Sequence, residues 1–472
     1  MKLNYYLPEN LDIDTLIYKC QPKFKQFKKG KLLYILSLIN SVRISNKDLL
    51  FESYSPLNST LLQNYVKNYR DYLDYLINDL KIVETDSKYI VGEKSRGFRF
   101  IDKYQRMVKC YTVNDFVIRK KMKVEKNKAM QTVKNLKNLT KFFDGIEIDF
   151  NECYKYLKEK FNIIKLNPEL RDFDFTKEKY KLPINQFNRS LIAVKNIDTK
   201  NFYIKRDSNV NRFHSNLTNL NSVLRNAVTY KGEKLVSIDI SNSQPYLSSV
   251  LLSKKFWNKE NKRDNVFNIY KFNIEYINYY IMLGESPVST INKGFLHYID
   301  LVREGGLYEY LCNEINKELS SNFFDRKKTK IAVFQALFTA NTFIGQKKAL
   351  PKKMFSKLFP EVYEVFKKIK KKDKTFLPRL LQSIESLLII DVICKRISKE
   401  LPKAPIFTIH DSISTTVKYL EDVKRIMLDE CEKNVGFAPK FKIEYWDIKN
   451  LDIELDELKN KAKKLAQNKM VA

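Results

Sequence analysis

Two aspartates, each at the end of an apolar, strand-like run, are the residues of this chain best suited to chemistry. Leu235–Ile238 runs into Asp239, and the run Pro405–Phe407 leads through a tight turn to Asp411. Residues 414–417 then have the pattern of a returning strand. Carboxylates held close together bind divalent cations, and the chain carries a net charge of +31. We therefore expect a site that holds divalent metal ions over a nucleic acid.

A third element lies between the two aspartate strands. The segment Asp325–Phe338 lacks Gly and Pro and has a helical pattern. One face of this helix carries a stripe of two cations and two aromatic residues, Arg326, Lys330, Phe334 and Phe338. Such a stripe can serve a nucleoside triphosphate, with charge for the phosphates and rings for the base and sugar. By itself it is typical of an ordinary amphipathic helix, and its position between the aspartates favours the nucleotide site.

In this order the three segments resemble the motifs of the right-hand polymerases, which include bacterial DNA polymerase one and the bacteriophage-type single-subunit RNA polymerases. Asp239-Ile240-Ser241-Asn242-Ser243-Gln244 resembles motif A, the cation and aromatic stripe resembles motif B, and His410-Asp411 resembles motif C. Two further segments are similar to family stretches, Gly305–Glu309 before motif B and Arg212–Arg225 before motif A. The resemblance covers roughly residues 205 to 450.

The resemblance implies a two-metal nucleotidyltransferase. Asp239, Asp411 and the backbone carbonyl of Ile240 are implied as ligands of two Mg²⁺ ions, which polarise the attacking 3′-hydroxyl and steady the leaving pyrophosphate. Lys330 is implied as a catalytic residue that contacts the triphosphate and protonates the leaving group. The implied nucleotide-binding residues are Arg326, Phe334, Phe338 and Gln244. His410 is implied to position the growing end, and Arg212 to grip the primer and template.

Departures from the family pattern bear on the product. Phe338 stands where Tyr is usual, and Thr339 follows where Gly is common. Gln244 stands where the deoxy-selective enzymes commonly have a Glu that crowds the 2′-hydroxyl, and Ser412 follows the His-Asp as in the RNA polymerase branch. We therefore expect DNA-templated RNA synthesis. Two alternatives stay open, a family-A-like DNA polymerase of a phage or plasmid and, from another class, a non-catalytic replication initiator that binds DNA.

Composition agrees with a nucleic-acid partner. The chain has 472 residues, with 86 Lys and Arg against 55 Asp and Glu, and such an excess raises affinity for any polyanion. A coding bias toward A and T is the alternative source of the lysines. The six cysteines lack metal-ligand spacing, three histidines cannot build a histidine-rich metal site, and no glycine-rich phosphate loop occurs. A reducing, cytoplasmic setting, in a prokaryotic or virus-infected cell, and no membrane segment are expected.

The N-terminal region predicts a small unit of its own. The pattern gives one helix around residues 32–39, a second long helix from Ser59 to Leu80, and a hairpin of strands 81–83 and 88–92. Helices followed by a two-stranded wing resemble a winged-helix domain, whose candidate phosphate contacts are Lys94, Arg96 and Arg99. A helical protein-contact module is the alternative. A long basic helix is also predicted over 119–141.

The expected fold class is α+β, a right-hand polymerase with palm, fingers and thumb-like helices behind the winged-helix-like domain. The predicted divisions are a winged-helix-like DNA-binding domain at 1–105 and a basic helical thumb or linker at 106–204. The palm is expected at 205–254 with motif A, the fingers at 255–390 with motif B, and the palm again at 391–472 with motif C and a C-terminal helix. No exonuclease site is recognisable. The expected partners are a DNA template, nucleoside triphosphates and the nascent RNA or DNA strand.

Overall fold

The fold combines helices with small antiparallel sheets, which confirms the predicted α+β class. The computed structural model describes residues 3–45, 53–90, 93–113, 116, 118–122, 136–174, 179–258, 266–272, 287–288, 293–320 and 324–471. Most of the basic helix predicted over 119–141 lies outside these residues. Within them, no helix joins enough length to enough hydrophobicity to cross a bilayer.

The N-terminal part has its own hydrophobic core. Its helices are α1 (Ile13–Lys19), α2 (Lys29–Ser45), α3 (Ser59–Tyr65) and α4 (Tyr69–Asp74), the last continued by a π-helical turn, Tyr75–Asp79. Its strands are β1 (Leu3–Pro8), β2 (Ser55–Pro56), β3 (Val83–Thr85), β4 (Gly97–Phe100) and β5 (Val108–Val113). Strands β2, β4 and β3 form one sheet in that order, and β1 pairs with β5.

Two sequence predictions for this part are wrong in detail. The long helix predicted over 59–80 is two helices, because the chain turns at Val66, whose extended backbone ends α3. The partner of β3 is β4 rather than residues 88–92, with Val83 opposite Phe100. Phe98 and Phe100 are buried in the core, whereas Tyr89 is 61% exposed, so the hydrophobic effect selects the later strand.

A six-stranded antiparallel sheet holds the centre of the larger part of the chain. Its strands are β6 (Ile146–Ile148), β11 (Val228–Tyr230), β12 (Glu233–Ile240), β13 (Phe407–Ile409), β14 (Ser412–Thr416) and β15 (Phe441–Tyr445). Four short strands form two separate pairs, β7 (Phe173–Asp174) with β8 (Lys179–Tyr180) and β9 (Ile204–Arg206) with β10 (Phe213–Ser215). Strand β12 is central, because β14 pairs with one of its edges and β15 with the other.

Helices cover this sheet and extend from it. Those before the aspartate of β12 are α5 (Lys137–Thr140), α6 (Phe150–Leu166), α7 (Pro183–Asp198), α8 (Asn216–Asn219) and α9 (Ser222–Arg225). Those between β12 and β13 are α10 (Ser243–Ser248), α11 (Lys254–Trp257), α12 (Lys293–Arg303), α13 (Leu307–Glu318), α14 (Arg326–Phe338), α15 (Leu350–Leu358), α16 (Pro360–Ile369), α17 (Phe376–Ser386) and α18 (Cys394–Glu400). The last two are α19 (Leu420–Val435) and α20 (Lys449–Val471).

Helix α17 links the sheet to the helical extension. It packs against α10, which directly follows β12, and against α14, the helix with the cation and aromatic stripe. A π-helical segment, Leu387–Ile393, joins α17 to α18 without a break in the helical chain. The buried residues of α17 belong to the main core, and they include Leu380, Leu381 and Ile384. Burial of this apolar face fixes α17 beside the aspartate strands.

Candidate active site

The two aspartates lie side by side at one edge of the central sheet, Asp239 near the end of β12 and Asp411 in the turn between β13 and β14. Asp239 stands opposite Ser412 in the antiparallel pair of β12 and β14, and Asp411 directly precedes Ser412. Strands β13 and β14 are joined by only His410 and Asp411, since Ile409 pairs with Ser412. His410 has a positive φ of 56°, a conformation that costs free energy for a residue other than Gly. The two-residue turn therefore holds Asp411 at the tip of the hairpin beside Asp239.

The electrostatics of Asp239 show that negative charge is concentrated here. Its pKa is raised to about 6, first by burial and then by the carboxylates of Glu444 and Asp411, against hydrogen bonds from Ser412 and Ser237 that act in the opposite direction. The Ser237 hydroxyl donates to Asp239 Oδ2 at 3.2 Å. A bound cation would stabilise the ionised form of this carboxylate, because it would offset both the desolvation and the repulsion by the neighbouring carboxylates.

A buried carboxylate that the sequence analysis did not select lies next to Asp411. Glu385 of α17 is 2% exposed and accepts hydrogen bonds from Arg212 Nε and Nη2, each at 2.9 Å. It also accepts a hydrogen bond from Gln244 Nε2 at 2.7 Å. The pKa of Glu385 is raised to about 7, because burial outweighs the opposing effect of Arg212. A signal was available, because Glu385 is the one acidic residue in the apolar segment 376–390.

His410 lies among cations rather than carboxylates alone. Burial lowers its pKa, and Arg212, His214 and Arg225 lower it further, whereas Asp411 raises it. The rings of His214 and His410 are 6.2 Å apart, edge to face.

Five predicted site residues are thus brought together: Asp239, Asp411, His410, Gln244 and Arg212. Ile240, whose carbonyl is the remaining predicted ligand, ends β12 beside them, opposite Phe441 of β15.

The motif B residues form a continuous stripe on α14. The rings of Phe334 and Phe338 are stacked with centroids 5.2 Å apart, and Lys330 Nζ lies 5.4 Å from the Phe334 ring. Arg326 Nε donates to Glu309 at 2.6 Å, and both side chains are exposed. An exposed ion pair of this kind contributes little free energy, so a phosphate can replace Glu309.

The three N-terminal cations brace the hairpin on which they stand. Lys94 pairs with Asp86 at 3.0 Å, and Arg99 pairs with Glu84 at 2.6 Å and stacks on Tyr54. Arg96 donates from Nε to the Thr85 hydroxyl at 3.0 Å. Lys94, Arg96 and Arg99 therefore lie on or beside the N-terminal sheet, and the other candidates belong to the larger part of the chain.

Comparisons with known proteins add little to this site. No protein-family model matches the chain, and no curated protein matches it. Among solved structures it is similar to the POL domain of Pol1 from M. smegmatis in complex with DNA primer-template and dNTP. The TM-score is 0.39 and the sequence identity 11%, over 65% of this chain and 68% of that chain. A likeness of this size leaves the functional argument with the site itself.

Proposed function

We propose that this protein is a template-directed nucleic-acid polymerase that synthesises RNA on a DNA template by a two-metal mechanism. The observation that carries the proposal is the placement of Asp239 on β12 beside the turn that carries Asp411 at the start of the adjacent antiparallel strand β14, close enough for one carboxylate to raise the pKa of the other. The order of the three motif-like segments along the chain supports the same reading. Two carboxylates held this close repel each other, and binding the DNA backbone does not require them.

The proposed Mg²⁺ ligands are Asp239, Asp411 and the carbonyl of Ile240. Among the described residues, no group of three or more His, Cys, Asp or Glu side chains could hold a metal ion. Mg²⁺ in nucleotide sites is usually bound by one or two carboxylates with water and substrate phosphates, so a two-carboxylate site fits. The bound ions would activate the 3′-hydroxyl and neutralise charge on the leaving pyrophosphate.

The chain's own groups would bind and orient the substrate. Lys330 is exposed on α14 and is the proposed triphosphate contact and proton donor, and Arg326 would exchange Glu309 for the outer phosphate. The stacked rings of Phe334 and Phe338 offer a flat apolar surface to the base and sugar.

His410, at the tip of the hairpin with Asp411, would position the growing end. Arg212 would contact the primer end, and its ion pair with Glu385 restricts the positions that its side chain can reach.

The proposed divisions of the chain follow from these roles. The central sheet would be the palm, within 205–254 and 391–472, the helices within 255–390 the fingers, and 106–204 a thumb or linker. The order α2, β2, α3, α4, β3 and β4 in the N-terminal unit supports a winged-helix-like domain at 1–105.

Charge favours the hairpin over the helix as the DNA-contacting part of that domain. The helix that would enter a groove, α4 with its π-helical turn, exposes Asp71, Asp74 and Asp79 against Arg70. The hairpin segment exposes Lys88, Lys94 and Arg96 against Glu93. A phosphate backbone is attracted to the second surface and repelled by the first.

A primer-extension assay tests the proposal. The wild-type protein, Mg²⁺, a primed DNA template and either NTPs or dNTPs should give extension, and Asp411→Asn or Asp239→Asn should lower the rate by several orders of magnitude, ~4 kcal/mol or more, while DNA affinity persists. Asp422→Asn, an exposed aspartate on α19, is the matched control and should be fully active.

Each other outcome has a definite meaning. Retention of more than about a tenth of the rate by either site variant, a ~1.4 kcal/mol effect, would contradict the metal assignment. DNA binding without extension by the wild type would favour the non-catalytic initiator. A preference for dATP over ATP above roughly a thousandfold, ~4 kcal/mol, would make the protein a DNA polymerase.

A further inference from the structure

Glu385 joins three elements that the chain brings together from distant positions. Its carboxylate accepts from Arg212, 173 residues earlier, and from Gln244, 141 residues earlier. Arg212 precedes β10, Gln244 lies in the first turn of α10, and Glu385 is on α17. Burying a carboxylate costs folding free energy unless hydrogen-bond donors compensate its charge. The folded state therefore holds Arg212 and Gln244 in fixed positions around Glu385.

The contacts of Glu385 decide the orientation of the Gln244 amide. Arg212 donates one N–H group to each oxygen of the carboxylate in a fork, and this pairing favours the ionised form, in which both oxygens accept hydrogen bonds. An acceptor can face only the NH₂ end of Gln244, at 2.7 Å. The amide oxygen of Gln244 therefore points away from Glu385, and it is buried without a hydrogen-bond partner in the described part of the chain.

This unpaired oxygen has consequences for a sugar. A buried acceptor without a donor costs free energy, and a hydroxyl group that reaches it removes that cost. Gln244 lies five residues after Asp239, in the helix that directly follows the aspartate strand, which is where the proposed nucleotide would meet the protein. A ribose 2′-hydroxyl can donate to the oxygen, whereas a deoxyribose cannot.

We infer that Glu385 is a specificity-determining positioning residue, which commits the Gln244 nitrogen to the protein and leaves its oxygen as the acceptor for a ribonucleotide 2′-hydroxyl. The inference rests on the proposed function. Sugar choice then belongs to the pair Gln244 and Glu385 rather than to Gln244 alone. A role in folding alone would change activity toward ATP and dATP equally, whereas a role in positioning changes their ratio.

The test measures kcat and KM for ATP and dATP opposite template T in four proteins: wild type, Gln244→Glu, Glu385→Gln and the double variant. Gln244→Glu sets two carboxylates against each other and should lower kcat/KM at least tenfold for both nucleotides. The double variant restores one donor facing one carboxylate, so it should regain extension, with the ratio shifted at least tenfold toward dATP. Glu385→Gln alone should lower the ATP preference, mainly through KM for ATP.

Controls separate this inference from the proposed function. Glu430→Gln removes a carboxylate that is also buried and paired with an arginine, Arg396, and should leave the ratio unchanged. The inference alone would be overturned if the wild type is active and Glu385→Gln changes its ATP to dATP ratio no more than Glu430→Gln does. It would also be overturned if the effects of Gln244→Glu and Glu385→Gln on this ratio, multiplied together, predict the ratio of the double variant to within twofold. Wild-type protein that incorporates neither nucleotide would overturn both proposals.

One more variant covers the case in which Glu385→Gln fails to fold. Gln244→Met keeps the length of the side chain and the Glu385–Arg212 pair but removes the amide. It should lose the same part of the ATP preference as Glu385→Gln is expected to lose. An unchanged ATP to dATP ratio in Gln244→Met would overturn the inference without any substitution of Glu385.

Discussion

Among single residues, Asp239 shows most directly how the site opposes folding stability. Its raised pKa of about 6 against 3.8 means that the folded state binds the proton more tightly than the unfolded state. Stability from this group is therefore fully present below about pH 4 and is lost as the pH rises through about 6. This difference in pKa corresponds to at most ~3 kcal/mol of folding free energy. At neutral pH the free protein keeps a carboxylate that it would fold better without.

We expect Asp239→Asn to remove this loss. In chelator, the free energy of unfolding of the wild type should fall relative to Asp239→Asn between about pH 4 and pH 7, by up to ~3 kcal/mol. Denaturant unfolding at several pH values measures the difference, with Asp422→Asn as the variant that should follow the wild type. Mg²⁺ at pH 8 should stabilise the wild type and not Asp239→Asn, because only the wild type keeps both ligands. Identical pH profiles of wild type and Asp239→Asn would contradict the assignment.

At this scale the sequence predicted the aspartates and missed their support. Asp239 and Asp411 were predictable because strand patterns are local, and a carboxylate at a strand end is visible in ten residues. Glu385 was not selected, since its partners Arg212 and Gln244 are joined to it only by the tertiary fold. Its isolation in an apolar helix was the available signal. The same contact makes the Gln244 nitrogen a donor to the protein, which the position of Gln244 in the sequence does not reveal.

Among the elements, α14 is held at its C-terminal end by two buried lysines. Lys370 Nζ donates to the carbonyls of Ala336 and Thr339, and Lys352 Nζ donates to the Ala340 carbonyl at 2.6 Å. These carbonyls carry the negative end of the helix dipole, which favours a cation there. The pKa of Lys370 is lowered to about 7, first by burial and then by the neighbouring Lys352. The two lysines thus fix the end of the helix that carries Phe334 and Phe338.

We expect Lys370→Met to loosen that end of α14. The loss of two donors to buried carbonyls costs ~1 to 3 kcal/mol locally, so amide hydrogen exchange of residues 336–339 should accelerate by about tenfold or more. Lys371→Met, an exposed neighbour, should leave the exchange unchanged. Hydrogen exchange read by mass spectrometry on both variants provides the measurement. Equal protection of 336–339 in the two variants would show that the lysine does not hold the helix end.

Element predictions failed where two local patterns competed. Residues 88–92 alternate like a strand, yet β3 pairs with β4, because Phe98 and Phe100 bury more apolar surface than Tyr89 and Ile90 could. The long helix predicted over 59–80 breaks at Val66 although its apolar spacing continues, since both halves pack into one N-terminal core. Helix α14 followed its pattern, and Asp325 caps it by accepting from Lys328 N at 2.7 Å.

For the whole molecule, a net charge of +31 sets the expected salt dependence of DNA binding. Each phosphate that a cation neutralises steepens the fall of log K with log salt by roughly 0.9 on duplex DNA. Part of the cationic excess is already used internally, as in the pairs of Lys94 with Asp86 and Arg99 with Glu84. The hairpin cations without a carboxylate partner in these contacts, Lys88 and Arg96, should therefore contribute more to the slope.

We expect Lys88→Ala and Arg96→Ala, each in the full-length chain, to reduce the slope of log K against log salt by about 0.9 on duplex DNA. A full-length chain is needed, because β1 pairs with β5 and Tyr6 belongs to the main core, so removing residues 1–105 would strip both. Arg70→Ala on α4 is the matched control and should change the slope less, since the exposed Asp71 and Asp74 lie next to it and one turn further along the helix. Titrations at several salt concentrations give the slopes. A larger change in Arg70→Ala would place the DNA on the helix, and unchanged slopes in all three variants would show that the N-terminal unit contacts protein instead.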